Sequence, residues 1–368
     1  MANNNDKKVL NVPALRFPEF SGEWKHVHLK EIAEFQKQRI STALLNNNNY
    51  ISTENILQDF EGIQCSSSMP ANVNVIKYQN EDILLSNIRP YLKKVWFADR
   101  KGGCSADVLV LRGNKCDKYF LYYVIASDRF INYVMSGIKG VKMPRGDKNQ
   151  MEEYAFSIPT NMEQKRIAKF ISILDERIRL QNKIIEKLQS LIKGITILLT
   201  TKGEPNTTIA QCLECHSSTL QEREVSHSGL YKVFGANGLL GYTDMPQMNG
   251  DSILIIKDGS GVGTVSYAQG DFSIIGTLNY LTALSNYDVR YLYFVLSVFN
   301  FQSYKTGMAI PHIYFKDYGN AKIYCPPLSE QKRIANVLGK LESKLFLEQN
   351  ILVSFNLQKQ YLLHQMFI

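Results

Sequence analysis

Pro159-Thr-Asn-Met-Glu-Gln-Lys-Arg-Ile-Ala168 returns as Pro326-Pro-Leu-Ser-Glu-Gln-Lys-Arg-Ile-Ala335, 167 positions later. Six consecutive residues, Glu163–Ala168 and Glu330–Ala335, are identical, too long a run for coincidence within one chain. The chain is therefore read as an internal duplication. Each copy also reads as a helix start. Prolines lie upstream, Thr160 and Glu163 suit a capping box, and Ser329 suits the second cap.

Downstream of the first copy, Ile167, Ile171, Leu174, Ile178, Gln181, Ile185, Leu188, Ile192 and Ile195 follow spacings of four and three. That is a coiled-coil seam with one polar interruption. Adding 167 gives Ile334, Leu338, Leu341, Leu345, Glu348, Leu352, Phe355, Lys359 and Leu362, a second seam weakened at Lys359. Two helices of roughly 32 residues, about 48 Å long, are expected. Gln181 and Glu348 occupy the same repeat position, so antiparallel pairing about a pseudo-twofold axis sets them face to face. Either they fix the register or both side chains reach out to water.

Each helix follows a globular block with short β-type runs. The first has Asp82–Ser86, Val95–Ala98 and Val108–Arg112; the second has Tyr231–Phe234, Ser252–Lys257 and Thr264–Ala268. Each then has an aromatic helix, Tyr119–Ser127 and Arg290–Val298, and Gly140 with Pro144 matches Gly307 with Pro311. The resulting expectation is a mixed α/β (α+β) chain: two similar globular domains separated by two long antiparallel coiled-coil helices. The boundaries are 1–158, 159–202, 203–325 and 326–368. The aromatics within Tyr119–Tyr133 and Tyr291–Tyr304 read as core.

At 368 residues two domains are the default, and 45% hydrophobic residues suffice for packed cores. A net charge of +8 favours an acidic partner, and its dispersal suits a folded groove better than a basic tail. Met1–Lys8 reads as frayed and Asn46–Asn49 as a loop tip. No signal peptide or membrane span is legible, so a soluble cytoplasmic protein with reduced thiols is expected.

No catalytic constellation stands out. Asp258-Gly-Ser-Gly-Val-Gly-Thr264 looks like a dinucleotide loop, but Thr264–Ala268 continues as strand where that motif needs a helix N-terminus, so a hairpin is expected. Cys212-Leu-Glu-Cys-His216 fits a haem-attachment or zinc spacing. Export and an axial ligand are missing for the first, and completing ligands for the second. Ordinary cysteines within a small helix or strand edge are the remaining reading. No metal is expected.

With the repeat, the seams and the divergent heads set out, the chain resembles the specificity subunit of type I restriction–modification systems. The resemblance extends to Pro13-Ala-Leu-Arg-Phe-Pro-Glu-Phe-Ser-Gly-Glu-Trp24, followed by Leu29, Glu31 and Ile32. It implies two target recognition domains, each reading half of a split sequence in double-stranded DNA. It implies helices that space the domains and dock two modification subunits, and possible restriction subunits beyond those. It implies no catalysis and no cofactor of its own, with S-adenosylmethionine, ATP and Mg²⁺ on the partners.

Divergent polar loops between matched scaffold positions are the candidate DNA contacts. They are Arg89, Lys93, Lys94, Lys139, Lys142, Arg145 and Lys148 in the first domain, and Lys257, Ser260, Lys305, His312 and Lys316 in the second. Lys suits phosphates and Arg suits guanine edges; plain solvated loop charge is the alternative. Neutralising Lys93 with Lys94 is expected to flatten the salt dependence of binding.

Overall fold

A computed structural model describes residues 11–65, 68–138, 144–307 and 309–368. Lys139, Gly140, Lys142 and Met1–Lys8 lie outside the described residues. The chain divides into two compact units, residues 1–180 with 352–368 and residues 181–351. Each unit carries one head and part of both long helices.

The duplication is written in strand order. In the first head, one antiparallel sheet runs Ala33–Phe35, Val108–Gly113, Ile83–Ser86, Val95–Phe97. A second runs Arg39–Ser41, Asn74–Tyr78, Gly102–Cys104, Tyr50–Ile51, its last pair parallel. In the second head, Leu213–Ser217, Leu278–Ala283, Ser252–Ile256 and Val265–Ala268 repeat the first sheet. Gly238–Thr243, Tyr231–Gly235, Asp271–Ile274 and Met248–Asn249 form the other.

The strands Ile83–Ser86 and Ser252–Ile256 are buried throughout because successive side chains feed two different cores. Ile253 and Ile255 join the cluster that runs onto the long helices, while Leu254 and Ile256 join the one between the sheets. Ile83 and Leu85 divide from Leu84 in the same way. A two-stranded ladder ties the beginning of each head to its end: Lys25–His28 with Ala155–Ile158, and Thr207–Thr208 with Lys322–Ile323.

The repeated Glu-Gln-Lys-Arg-Ile-Ala has a physical reason. Gln164 is buried; its Oε1 accepts from Asp117 N at 2.8 Å and its Nε2 donates to Pro159 O at 2.8 Å. Gln331 does the same with Asp288 N at 2.9 Å and Pro326 O at 2.8 Å. Asp117 and Asp288 cap the head helices Lys118–Ile125 and Val289–Ser297. One glutamine thus locks each head helix onto the first turn of a long helix, satisfying donors and acceptors that burial would otherwise leave orphaned.

The glutamates anchor incoming chain. Glu163 accepts from Arg16 at 2.7 and 2.8 Å and from Trp24 Nε1 at 3.3 Å. The Glu330 carboxyl is pulled down to about 2 by Arg333 and then Lys202. The expected capping box is therefore half right. Thr160 Oγ1 accepts from Glu163 N at 3.4 Å, but the Glu163 carboxylate serves Arg16 and Trp24. Ser329 does not cap: the second long helix already begins at Leu328, and Pro327 O accepts from the amides of Glu330 and Gln331.

The long helices, Asn161–Thr200 and Leu328–Met366, hold 40 and 39 residues, about 60 Å each and longer than expected. Beyond Ile195, Thr196 and Thr200 remain buried; beyond Leu362, so does Met366. Pairing is antiparallel in both units. In the first, Ile167, Ile171, Leu174 and Ile178 share a core with Phe355, Leu362 and Met366. In the second, Ile195 and Leu199 share one with Ile334, Leu338 and Leu341. Ile185 is buried, and Leu188, Ile192, Leu345 and Leu352 are half-buried. A fully buried Leu or Ile contributes about 1.5–3 kcal/mol, so the seam is the main source of pairing energy.

The polar seam positions are sheltered. Gln181 and Glu348 are each 7% exposed, and Gln181 Nε2 donates to Glu348 Oε2 at 2.5 Å and to Glu348 O at 2.9 Å. Lys344 Nζ closes on the other carboxylate oxygen at 2.5 Å. Lys359 does not weaken its end as expected: its Nζ sits 2.6 Å from Asp175, which also accepts from Tyr123 Oη at 2.6 Å. A carboxylate does this in each unit, since Glu342 accepts from Tyr293 Oη at 2.8 Å and pairs with Arg290.

Candidate nucleic-acid interface

In both heads the buried central strand runs out into a loop clasped by a later segment. After Ile83–Ser86, Arg89 N donates to Pro144 O at 2.9 Å, Ile88 bridges to Arg145, and Gly146 N donates to Asn87 O at 3.1 Å. After Ser252–Ile256, Gly259 N donates to Pro311 O at 2.9 Å and Asp258 bridges to His312. The two prolines are the matched pair of the repeat. The same clasp therefore presents Arg89 and Arg145 in one head, and Lys257, Ser260 and His312 in the other. The glycine-rich segment is the expected hairpin turn, Ser252–Ile256 pairing antiparallel with Val265–Ala268.

The first loop is strained. Arg89 and Lys93 take left-handed backbone at φ 50° and 52°, flanking the turn Pro90–Leu92. Such non-glycine conformations cost about 1–3 kcal/mol each and persist where surrounding structure enforces them. In the second head the clasp position that matches Arg89 is Gly259, at φ 99°, which meets the left-handed requirement without cost.

The candidates differ in how free their charges are. Lys93 pairs with Asp128 at 2.8 Å, Lys94 Nζ donates to Thr53 O at 2.7 Å, and Arg145 pairs with Asp107 at 3.1 Å. Lys148 opens the short helix Lys148–Glu152, 3.9 Å from Glu152 and over the Phe35 ring at 5.1 Å. Among the described residues, the side chains of Arg89, Lys257 and Lys305 have no acidic partner. Lys316 rests over the Tyr314 ring at 5.3 Å, and the His312 ring meets that ring edge-on at 4.9 Å.

Two aromatics on these loops escaped the sequence reading, Tyr91 between Arg89 and Lys93 and Tyr314 between His312 and Lys316. They are 47% and 49% exposed. The signal for both is an aromatic set inside a basic loop. Those helices do supply core: Phe120, Tyr123, Tyr291 and Phe294 are buried, although Tyr119 is 45% exposed. Cys212, Cys215 and His216 do not converge: Cys212 closes the helix Ile209–Cys212, and His216 on the edge strand Leu213–Ser217 stacks on Tyr280 at 4.7 Å. Outside the seam, Phe170, Ile173, Leu180 and Ile184 of the first long helix and Phe346, Leu347 and Leu357 of the second are exposed. No helix among the described residues is long and apolar enough to cross a membrane.

A family model described as the type I restriction modification DNA specificity domain matches residues 21–190 and again residues 210–354. The chain belongs to this family. The two matches fall on the two heads and the long helices that follow them. Among relatives, the type I restriction enzyme MjaVIII specificity subunit of Methanocaldococcus jannaschii is 30% identical over 199 residues, 51% of this chain and 44% of its own length. The EcoprrI specificity subunit of Escherichia coli is 23% identical over 124 residues, 34% and 30% of the two chains. The matched parts amount to less than half the length of either relative. In fold, the chain is similar to the S subunit of a type I restriction-modification system from M. genitalium. The TM-score is 0.67 at 18% identity, covering 97% of this chain and 99% of that one. A chain from a structure on complex assembly and conformational transition of the type I R-M system gives a TM-score of 0.56 at 18% identity, over 92% and 96%. At that identity the likeness concerns the fold of these type I specificity domains.

Proposed function

We propose that this chain is the non-catalytic DNA-reading subunit of a type I restriction–modification complex. Each head reads one part of a split, asymmetric sequence in double-stranded DNA. The observation that carries the reading is the repeated clasp, Arg89 to Pro144 and Gly259 to Pro311, which keeps the backbone and changes the side chains. Two readers of one design with different surfaces suit two different half-sites. Two different readers on one chain suit a target whose two parts are separated by base pairs that neither head reads.

The exposed apolar residues of the long helices supply a docking surface for two modification subunits, with restriction subunits joining through them. The chain itself carries no cofactor in this reading. S-adenosylmethionine serves the modification subunits, ATP and Mg²⁺ serve the restriction subunits, and the complex works in the cytoplasm. Co-expression with neighbouring methyltransferase subunits, followed by mapping of modified adenines at single-base resolution, tests the proposal. A two-part asymmetric sequence is expected; one uninterrupted motif overturns it.

A further inference from the structure

One pair of nucleophilic side chains has no part in DNA reading. Cys212 and Cys325 bring their sulfurs to 3.9 Å inside the second unit, with Cys212 fully buried and Cys325 8% exposed. Main-chain hydrogen bonds fix the approach. Thr207 and Thr208 pair with Ile323 and Lys322, and the Asn206 carboxamide brackets Cys325, accepting from its N at 2.9 Å and donating to its O at 2.8 Å. A disulfide places its sulfurs about 2.05 Å apart, so the bond requires this pair to close in from 3.9 Å.

We infer that Cys212 and Cys325 are a redox dithiol that hydrogen peroxide converts to a disulfide, joining the start of the second head to the segment leading into the second long helix. Cys212 sulfur attacks one peroxide oxygen, the O–O bond breaks, and a sulfenic acid and one water result. Cys325 sulfur then displaces the sulfenic oxygen, which leaves as a second water with the Cys325 proton. Two thiols are oxidised by two electrons, and one peroxide is reduced to two waters.

The proton distribution agrees with this division of labour. The neighbouring Cys325 sulfur draws the Cys212 thiol below its ordinary value against the opposing effect of burial, while Cys325 holds its proton more tightly. Burial pushes Cys104 and Cys116 up to about 12 and Cys215 up to about 11, so the other sheltered thiols are poor nucleophiles. The bond would close the chain from 212 to 325, nearly the whole second head, and make that head harder to unfold.

The test uses the full chain with Cys65, the exposed thiol, replaced by Ser. After peroxide treatment and alkylation, non-reducing peptide mapping should show the Cys212 and Cys325 peptides joined, two hydrogens lighter, and separated again by dithiothreitol. In Cys325→Ser, dimedone should trap a sulfenic acid at Cys212. Independent alkylation of both cysteines after peroxide, or dimedone labelling elsewhere with none at Cys212, overturns the assignment. The same peptide mapping on the unsubstituted chain decides the pairing even if a serine variant fails to fold.

Discussion

Replacing Lys257, Lys305 and Lys316 together with alanine should flatten the salt dependence of DNA binding far more than replacing Lys93 and Lys94. The first two have no acidic partner among the described residues, and the third lies over a tyrosine ring rather than a carboxylate. Each cation that neutralises a phosphate adds about 0.9 to the slope of log affinity against log salt, so the triple variant should lose up to about 2.7. Across a fourfold rise in salt, that difference compounds to about 40-fold in relative affinity. Lys93 is already neutralised by Asp128 and Lys94 is committed to Thr53 O, so this pair should change the slope by less than about 0.5. The structure thus moves the expected electrostatic contact away from the pair that the sequence favoured. Fluorescence anisotropy with a duplex oligonucleotide over a salt series measures the slopes, and thermal melts show that the variants fold. An unchanged slope in the triple variant, or a larger loss from Lys93 and Lys94, refutes the reasoning.

Gln331→Ala and Gln164→Ala each strip the partners from a buried amide and a buried carbonyl and should cost about 2–4 kcal/mol in denaturant unfolding, against a negligible change if the clamp is incidental. Arg16→Ala leaves the Glu163 carboxylate buried with only Trp24 and should cost about 3 kcal/mol in the same assay. Lys344 and then Gln181 hold the Glu348 carboxyl below its ordinary range. A depressed carboxyl contributes stability that is present above its unfolded value and lost as pH falls through the folded one. Acid melting curves of wild type and Glu348→Gln should therefore converge below the ordinary carboxylate range and separate above it; parallel curves at every pH contradict the pairing.

The seam was legible because its spacing is local: four and three repeat whatever lies opposite. The meaning of Lys359 was not, since Asp175 stands 184 residues earlier and only antiparallel pairing brings it near. The identity of Gln164 and Gln331 was visible at once. Its cause, a hydrogen bond to the capping aspartate of a head helix, needed the fold. Ser329 illustrates the converse: a good capping residue is displaced when the helix already begins one residue earlier, after the Pro326-Pro327 pair. The strands Ile83–Ser86 and Ser252–Ile256 were found as apolar runs, but that each feeds two cores depends on sheets assembled from distant segments. For the candidate contacts, sequence supplied residue types in the divergent loops. It gave no sign that Lys93, Lys94 and Arg145 are bound internally, or that Tyr91 and Tyr314 stand out beside them.

The most direct test of two independent readers is to change one clasped loop at a time and map the modified sequence. Arg89→Ala with Arg145→Ala should relax base preference in one part of the target and leave the other intact, and Ser260→Ala with His312→Ala should do the reverse. If either pair alters both parts, or if neither touches the recognised bases, the heads do not read separate half-sites through these loops.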